Sequence, residues 1–459
     1  MKYEVKNGWK DADEALKTAV YDFAKGYIDF LNSAKTERES VDEAVRLAGL
    51  AGFKPLEEAE SLKAGDKVYA VNKNKGIALI IIGRRPVTDG VGIVGSHIDA
   101  PRLDLKQNPL YEADEMAFLK THYYGGIKKY QWTASPLAIH GVVVKQSGET
   151  VKIAIGDEGD DITFTITDLL PHLGNSQMSK PAYSFIEGEN LNVLVGSLSA
   201  AEGDDGKKVR EAILGMLTEK YGIDDEDFTS AELEIVPAFK AKDLGFDRSL
   251  IGAYGHDDRV CSYPNLRALL DTQTPEYTAI CLLTDKEEVG SMGNTGAKSR
   301  FLELALLELL DKTGEGASAL SLNRALDRSL CLSADVSAAF DPNYAGVYEK
   351  SNSGRLNCGI AISKYTGSRG KSGSNDAPAE LMAKVRAIFN EAGVLWHTAE
   401  LGKVDEGGGG TIAQFVANLG VDTIDCGVPM LSMHAPYEVA AKMDVYQCYK
   451  AFSAFFNRK

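Results

Sequence analysis

Five segments of the sequence place ionisable side chains directly after apolar, strand-like runs. They carry His97 and Asp99 after VGIVGS, Asp257 and Asp258 after SLIGAYGH, Glu287 and Glu288 after AICLLTDK, Asp335 after CLSA, and His434 after GVPMLSM. In open α/β sheets, ligands bind beyond the carboxyl ends of the strands. These side chains are therefore candidates for one functional site.

The mixture of imidazole and carboxylate groups is the ligand type that zinc, cobalt or manganese accepts. Each position alone has an ordinary structural explanation, as a hydrogen-bonded histidine, a helix cap or solvated surface. Together they favour a metal site. If one carboxylate bridges two ions ~3.5–4 Å apart, five residues suffice, and one half of the Glu287–Glu288 pair is left to accept a proton from water. Because side chains alternate along an extended chain, a turn or helix start must bring both glutamates to the site.

Apolar spacing indicates the elements that would position these residues. It predicts amphipathic helices from about Asp13 to Leu31 and from Val41 to Leu50. The β-branched runs Ile77–Ile82 and Val91–Gly95 predict adjacent buried strands joined by a turn. Beyond Phe246 the pattern alternates between strand and helix, with strands at YTAICLLT, SLCLSAD and TIDCGVP and helices near Lys298–Asp311, Ala377–Asn390 and Glu438–Phe456. This alternation predicts the α/β class, with a mixed, mostly parallel sheet sandwiched by helices.

The segment between the first predicted strands and this alternating region has a different pattern. Short β-like pieces at Ile139–Lys145, Thr150–Gly156 and Asp161–Leu169 alternate with acidic, glycine-rich turns. We therefore predict an α/β domain of residues 1–104 and 247–459, interrupted by a β-rich domain of residues 105–246.

Composition excludes several classes of partner. The 459 residues include 50 Lys and Arg against 66 Asp and Glu, a net charge of −16, and this charge repels nucleic acid and anionic membranes. The six cysteines form no CxxC pair and mostly lie in apolar runs, as expected for reduced cysteines in a cytoplasmic protein. The longest apolar run, Ile77–Ile82, is too short to span a bilayer, and the first residues do not form a signal peptide.

Two glycine motifs imitate nucleotide-binding loops. Gly90, Gly92 and Gly95 spell GxGxxG, but the residues between them predict a strand and not a strand-to-helix turn. Gly370-Lys371-Ser372 resembles the end of a Walker A loop, yet the first glycine of that motif is replaced by Tyr365. The sequence also lacks HExxH and GxSxG. Nucleotide, zincin and nucleophile-elbow chemistry are therefore not expected.

Five longer motifs resemble those of the aspartyl aminopeptidase and vacuolar aminopeptidase I family of dinuclear metallopeptidases, in the family's order and over essentially the whole chain. They are GSHIDAPRLDLK (Gly95–Lys106), GHDDRV (Gly255–Val260), DKEEVGSMGNTGA (Asp285–Ala297), LSADVSAAFDPNY (Leu332–Tyr344) and MLSMHAPYEV (Met430–Val439).

The resemblance implies a metallo-aminopeptidase that uses a two-metal-activated water to remove the N-terminal residue of peptides with a free amino group. It implies two divalent ions per chain, zinc with cobalt or manganese as alternatives. In the implied ligand set, His97 and Asp335 hold one ion, Glu288 and His434 hold the other, and Asp257 bridges them. Glu287 is then the general base, and Asp99 accepts a hydrogen bond from His97.

The resemblance also identifies residues 105–246 as a dimerisation domain and implies a dodecamer built from dimers. LLPHLG (Leu169–Gly174) resembles the segment that sends a histidine, here His172, into the neighbouring subunit's site; a surface histidine is the ordinary alternative. Members divide between acidic and neutral N-terminal residues. Lys364 or Arg369 could supply the cation of an acid-selective pocket, but an exposed basic loop explains them equally well.

Two other functions fit the same ligand set. A dinuclear deacylase or carboxypeptidase would use the same metals with another substrate anchor, and N-terminally blocked peptides would distinguish it from an aminopeptidase. A non-catalytic, metal-stabilised assembly protein would not need the general base Glu287. The native metal, the preferred residue and the physiological peptides are not determined by the sequence.

Overall fold

The computed structural model describes residues 4–199 and 208–459, which divide into two compact units. The first unit comprises the chain up to Asp99, Ala241–Met433 and Tyr437–Lys459. The second comprises Ala100–Lys240 together with the short segment His434–Pro436. The chain thus leaves the first unit directly after the His97–Asp99 motif.

The first unit begins with two capped helices and four strands: α1 (Glu14–Ser33), α2 (Glu37–Leu50), β1 (Lys54–Pro55), β2 (Lys67–Asn72), β3 (Gly76–Ile81) and β4 (Gly92–His97). The predicted start of α2 at Val41 was one turn late. A capping box, in which Thr36 and Glu39 satisfy each other's backbone amides, starts this helix at Glu37. Apolar spacing does not reveal such a polar first turn.

The second unit is built on a six-stranded antiparallel sheet in the order β8-β7-β10-β5-β6-β9. Its elements are β5 (Arg102–Ala113), β6 (Met116–Tyr124), β7 (Leu137–Val144), β8 (Thr150–Ile155), α3 (Asn175–Met178), α4 (Ala182–Phe185), β9 (Val193–Gly196), α5 (Lys208–Tyr221) and β10 (Ala231–Pro237). The predicted strand Asp161–Leu169 is wrong, because only isolated bridges at Phe164 and Thr165 link that segment to its neighbours.

The remaining elements return to the first unit. They are β11 (Lys242–Leu244), β12 (Leu250–Ala253), α6 (His256–Leu270), β13 (Ala279–Thr284), α7 (Phe301–Lys312), α8 (Ala319–Asp327), β14 (Leu330–Ala334), β15 (Ser337–Ala338), β16 (Ile360–Ser363), α9 (Ala379–Glu391), β17 (Trp396–Thr398), α10 (Ala413–Ala417), β18 (Asp422–Gly427), β19 (Pro429–Leu431), β20 (Glu438–Ala441) and α11 (Lys442–Phe456). The predicted last helix, Glu438–Phe456, therefore begins with a strand. Within the described ranges, none of the helices has the length and apolar character of a transmembrane span.

A nine-stranded mixed sheet organises the first unit, in the order β1-β2-β3-β13-β4-β14-β18-β16-β17. Its central strands β13, β4, β14 and β18 are mutually parallel. Alternate residues of β3 enter two apolar clusters: Ile77, Leu79 and Ile81 pack with α1, α2, α6, α9 and α11, whereas Ala78 and Ile80 pack with α7 and α8. Helices thus cover both faces, which confirms the predicted α/β class.

Two details of the sheet differ from the predictions. β3 and β4 are not adjacent, because β13 inserts between them, antiparallel to β3 and parallel to β4. A further five-stranded sheet, β11-β12-β20-β19-β15, was not predicted. Its strands are two to four residues long, and such short pieces carry too little periodicity to be recognised.

Candidate metal centre

His97 is the last residue of β4, and its fully buried imidazole lies among carboxylates. Its Nε2 atom is 3.2 Å from Oδ1 of Asp257, 3.7 Å from Oδ1 of Asp335 and 4.0 Å from Oε2 of Glu287. Its Nδ1 atom is 3.1 Å from the backbone oxygen of Asp99 and 3.3 Å from Oδ1 of the same residue. These contacts place a proton on Nδ1, so that Nε2 is the ring nitrogen that could bind a metal ion after losing its own proton.

Asp99 connects this histidine to the glutamate pair. Its side chain is buried, and its two carboxylate oxygens accept hydrogen bonds from the backbone amides of Glu287 and Glu288, at 3.1 and 3.2 Å. A single carboxylate therefore orients an imidazole and the turn that carries both glutamates, as groups outside a metal's ligand shell commonly do.

Glu287 and Glu288 lie in a 3₁₀ turn, Glu287–Val289, that directly follows β13. Lys286 adopts a left-handed conformation at the start of this turn. The turn replaces the alternation of the strand, which would have pointed the two side chains to opposite faces. The turn required by the sequence argument is present, and both glutamates are partly buried.

Asp257 lies at the irregular start of α6. Gly255 precedes this helix in a left-handed conformation, and both Asp257 and Asp258 have non-helical dihedral angles. The peptide bond between these two aspartates is cis. The backbone amide of Asp257 donates to the Glu438 carboxylate at 3.2 Å. Glu438 is buried, and no motif in the sequence identifies it as a site residue.

Among the residues that the structure describes, two groups of side chains have ligand atoms close enough together to hold a metal ion. Within each group the ligand atoms lie within 4.8 Å of one another: one contains His97, Asp257 and Glu288, and the other contains His97, Asp258 and Asp335. Asp258 directly follows Asp257 in the sequence, and the family resemblance implies no role for it. The groups share His97, so the candidate ions would be close neighbours.

The pKa values reflect the crowding of negative charge at this site. Burial disfavours protonation of His97, but hydrogen bonds to the carboxylates of Asp257, Asp335 and Asp99 outweigh burial and raise its pKa well above the ordinary value. Burial, together with repulsion from Asp335, raises the pKa of Glu287 to about 8. Burial also raises the pKa of Asp335 and of Asp258. A bound cation would compensate this excess of negative charge.

The distances fit a transition metal as well. With zinc–nitrogen and zinc–oxygen bonds of about 2.0–2.1 Å, the ligand atoms of a tetrahedral site lie ~3.3 Å apart. The separations of His97 Nε2 from Asp257 and from Asp335, 3.2 and 3.7 Å, bracket that value. The donors are nitrogen and oxygen only, which zinc, cobalt and manganese all accept.

The two other predicted histidines belong to the second compact unit. His434, three residues after the end of β19 in the sequence, has its Nδ1 atom 2.8 Å from the carbonyl oxygen of Gly126. That contact indicates a proton on Nδ1, which leaves Nε2 as the ring nitrogen with the lone pair. His172 is exposed in the 3₁₀ turn Pro171–Leu173.

The basic loop after β16 contains the two predicted specificity cations. Lys364 forms an ion pair with Asp376, and Lys371 pairs with the other oxygen of the same carboxylate at 2.7 Å. Lys371 also lies 3.8 Å from the centroid of the Tyr365 ring. Arg369 is exposed, in a left-handed conformation. The charge of Lys364 is therefore already balanced within its own loop.

Comparisons with known proteins show the family to which the chain belongs. The family model described as "Aminopeptidase I zinc metalloprotease (M18)" matches residues 30–456. The "Probable M18 family aminopeptidase 1" of Clostridium acetobutylicum is 50% identical over 458 residues, covering 99% of this chain and 98% of the relative. The crystal structure of the M18 aminopeptidase from Thermotoga maritima superposes with a TM-score of 0.96 at 44% identity, covering all of both chains. The more distant S. cerevisiae mApe1, solved as a dodecamer, shares the fold at 22% identity, with a TM-score of 0.76 over 95% of this chain and 96% of that one.

Proposed function

The chain belongs to the M18 family of aminopeptidase I zinc metalloproteases. We propose that His97 and the carboxylates around it form a two-metal centre, and that this centre catalyses removal of N-terminal residues from peptides. The activity class follows from the family: the protein is a metallo-aminopeptidase that hydrolyses peptide bonds. The observation that carries the proposed site is the position of His97 Nε2 within 4.0 Å of three carboxylates. The number of ions and the role of each residue are the parts that we propose.

We propose that His97 and Asp335 hold one ion and that Asp257 bridges it to a second. The short distances from His97 Nε2 to both aspartates support the first half of this assignment. The proximity of Asp257 to Glu288 supports a bridge between the two ions. His434 is proposed as the remaining ligand of the second ion, on the basis of its motif and its indicated tautomer.

The proposed general base is Glu287, whose carboxylate lies 4.0 Å from His97 Nε2. When bound, the ions supply Lewis acidity, which lowers the pKa of a water molecule and polarises the scissile carbonyl. Glu287 accepts the proton of the attacking water and returns it to the leaving amine. Asp99 keeps the Glu287 backbone in place through its amide hydrogen bond.

We further propose that a second copy of the chain covers the segment around His172. Five large apolar side chains near this histidine are exposed, by 46 to 79%: Leu169, Leu170, Leu173, Met178 and Tyr183. An apolar cluster of this kind favours a protein contact. In the proposed dimer, His172 enters the partner's site and donates a hydrogen bond to the oxyanion. Six such dimers would form the dodecamer.

A panel of unblocked aminoacyl anilides, assayed with zinc, manganese and cobalt, tests the proposal. We expect turnover of unblocked substrates, and the ranking of acidic against neutral residues gives the specificity. The matched control is the same panel with acetylated amino groups, which an aminopeptidase leaves intact. Equal turnover of acetylated substrates would instead favour a deacylase or carboxypeptidase.

A further inference from the structure

Helix α6 holds the end of β4 through three buried side chains. Ser262 donates to the carbonyl oxygen of His97 at 2.7 Å, Asn265 donates to that of Val94 at 2.8 Å, and Arg259 donates to that of Ile98 at 3.3 Å. All three side chains are at most 1% exposed. A single helix therefore satisfies backbone acceptors on both sides of the candidate ligand His97.

The hydrogen bond from Ser262 to the His97 carbonyl lies beyond the end of the pairing between β4 and β14. On the β13 side, pairing of β4 continues to His97, opposite Thr284. On the β14 side, the last pair is Gly95 with Ser333, two residues earlier. The His97 carbonyl thus lies past the last residue paired with β14, and a hydroxyl from α6 takes over the hydrogen bond that a strand would supply. A buried carbonyl left without such a donor would cost free energy.

The first turn of the same helix contains the proposed bridging residue. Asp257 lies five residues before Ser262, and its Oδ1 atom is 3.2 Å from His97 Nε2. The Ser262 hydroxyl is also 3.0 Å from the hydroxyl of Ser96, which strengthens the connection between helix and strand. The position of the His97 backbone is therefore tied to the helix that carries Asp257.

We propose that Ser262 is a positioning residue that sets the separation of His97 and Asp257 and thereby the affinity and geometry of the metal site. The inference rests on the proposed role of His97 as a ligand. Partners that orient a ligand from outside the coordination shell change metal affinity by about 10–100-fold when they are removed. Ser262 touches neither substrate nor metal in this role.

The chain offers a matched control at the other end of the same strand. Ser329 is also fully buried, and its hydroxyl accepts a hydrogen bond from the amide of Val91 at 2.9 Å, just before β4 begins. Ser329→Ala removes a comparable buried hydroxyl beside the start of β4, without a change at the His97 end. Any general loss of stability should therefore appear in both alanine variants.

The experiment measures zinc affinity of the full-length protein by competition with a chelator, and the visible spectrum of the cobalt-substituted protein. We expect Ser262→Ala to bind zinc ~10–100-fold more weakly and to give an altered cobalt spectrum, whereas Ser329→Ala keeps both properties of the wild type. Ser262→Thr, which retains the hydroxyl, should restore both. If Ser262→Ala does not fold, the zinc affinity and spectrum of Ser262→Thr against Ser262→Cys, a weaker donor of similar size, give the same comparison.

A His97→Ala variant separates failure of this inference from failure of the proposed function. If His97→Ala retains wild-type zinc affinity, the ligand assignment itself is wrong. If His97→Ala loses zinc while the Ser262 and Ser329 variants behave alike, the assignment survives and the positioning role of Ser262 is overturned.

Discussion

The backbone amide of Glu287 donates a hydrogen bond to the Asp99 carboxylate, with 3.1 Å between the nitrogen and Oδ1. The second oxygen of Asp99 accepts from the next amide along the chain, at 3.2 Å. These two bonds hold the 3₁₀ turn after β13 against the loop after β4, although the residues are 188 positions apart in the chain. The orientation of the proposed base thus depends on a residue that need not touch metal or substrate.

Asp99→Asn tests this dependence. An amide side chain offers one acceptor oxygen and presents an N–H group to the second backbone amide, so the turn loses one of its two bonds. We expect zinc affinity to fall ~10–100-fold. Asp444→Asn is the control, because Asp444 is equally buried and also accepts from two backbone amides, those of Asn357 and Gly359. An equal loss of zinc affinity in both variants would contradict the prediction.

The adjacent glutamates should respond in opposite ways to the same substitution. Glu287→Gln should retain both ions but lose ~10²–10⁴-fold or more in turnover, since an amide cannot accept the proton of the attacking water. Glu288→Gln should lower the metal content. Elemental analysis and steady-state kinetics on both variants decide the matter, and the reverse pattern would mean that ligand and base have been exchanged.

The two-ion assignment predicts the metal content of two further variants. We expect about two ions per chain in the wild type, clear depletion in Asp257→Ala because a bridging carboxylate serves both ions, and loss of the second ion in His434→Ala. Glu287→Gln is the reference, since it should remain fully loaded. Unchanged metal content in both ligand variants would refute the assignment.

We expect the folded state to lose stability in mild acid because of the buried residue His397. Its Nε2 atom accepts from the amide of Arg355 at 3.0 Å, and its Nδ1 atom lies 3.1 Å from the carbonyl oxygen of Cys358, an arrangement that only the neutral ring satisfies. Burial lowers the pKa of His397 from 6.5 to about 4. Between these two pH values the unfolded chain protonates His397 and the folded chain does not. The contribution of the neutral, buried His397 to the free energy of unfolding is therefore complete above pH 6.5 and is lost as the pH falls toward 4.

Thermal unfolding of the zinc-saturated protein between pH 7 and 5 measures this effect. The wild type should lose ~2 kcal/mol more than His397→Gln, which keeps a polar group but does not titrate in this range. Parallel loss of stability in both proteins would show that His397 does not contribute.

The proposed action of His172 in a partner's site is testable by mixing inactive chains. A heterodimer of His172→Ala and Glu287→Gln contains one site in which an intact Glu287 meets an intact His172. The mixture should therefore regain part of the activity that each parent lacks. Subunit exchange must be verified independently, and with exchange established, a mixture no more active than its parents would exclude action in trans.

Much of the α/β architecture could be read from the sequence because it is expressed locally. β-branched runs such as the one around Ile80 form strands buried on both faces, and amphipathic spacing marks most of the helices. The strand-end rule anticipated that side chains after β4, β13 and β14 would meet, since these strands are parallel and neighbouring. His97, Glu287 and Asp335 come together for that reason.

Other relationships were decided only by the tertiary structure. Asp257 follows β12 and His434 follows β19, and both strands belong to the small third sheet and not to the parallel one. The strand-end rule holds for the parallel sheet and does not apply to these two strands. The assignment of Asp257 and His434 therefore rests on their sequence motifs. Strands of three or four residues do not reveal their partners locally, because pairing depends on distant segments.

The sequence by itself determined the fold class, the family and the set of candidate side chains, because side-chain type and periodicity are local properties. Only the tertiary structure decided how these side chains are held. Asp99 orients the turn that carries the two glutamates, and Glu438 accepts a hydrogen bond from the backbone amide of Asp257. Ser262 donates to the His97 carbonyl beyond the end of the strand pairing. Each of these bonds joins segments more than 160 residues apart. Hydrogen bonds of that kind depend on ångström-scale packing that no local pattern specifies.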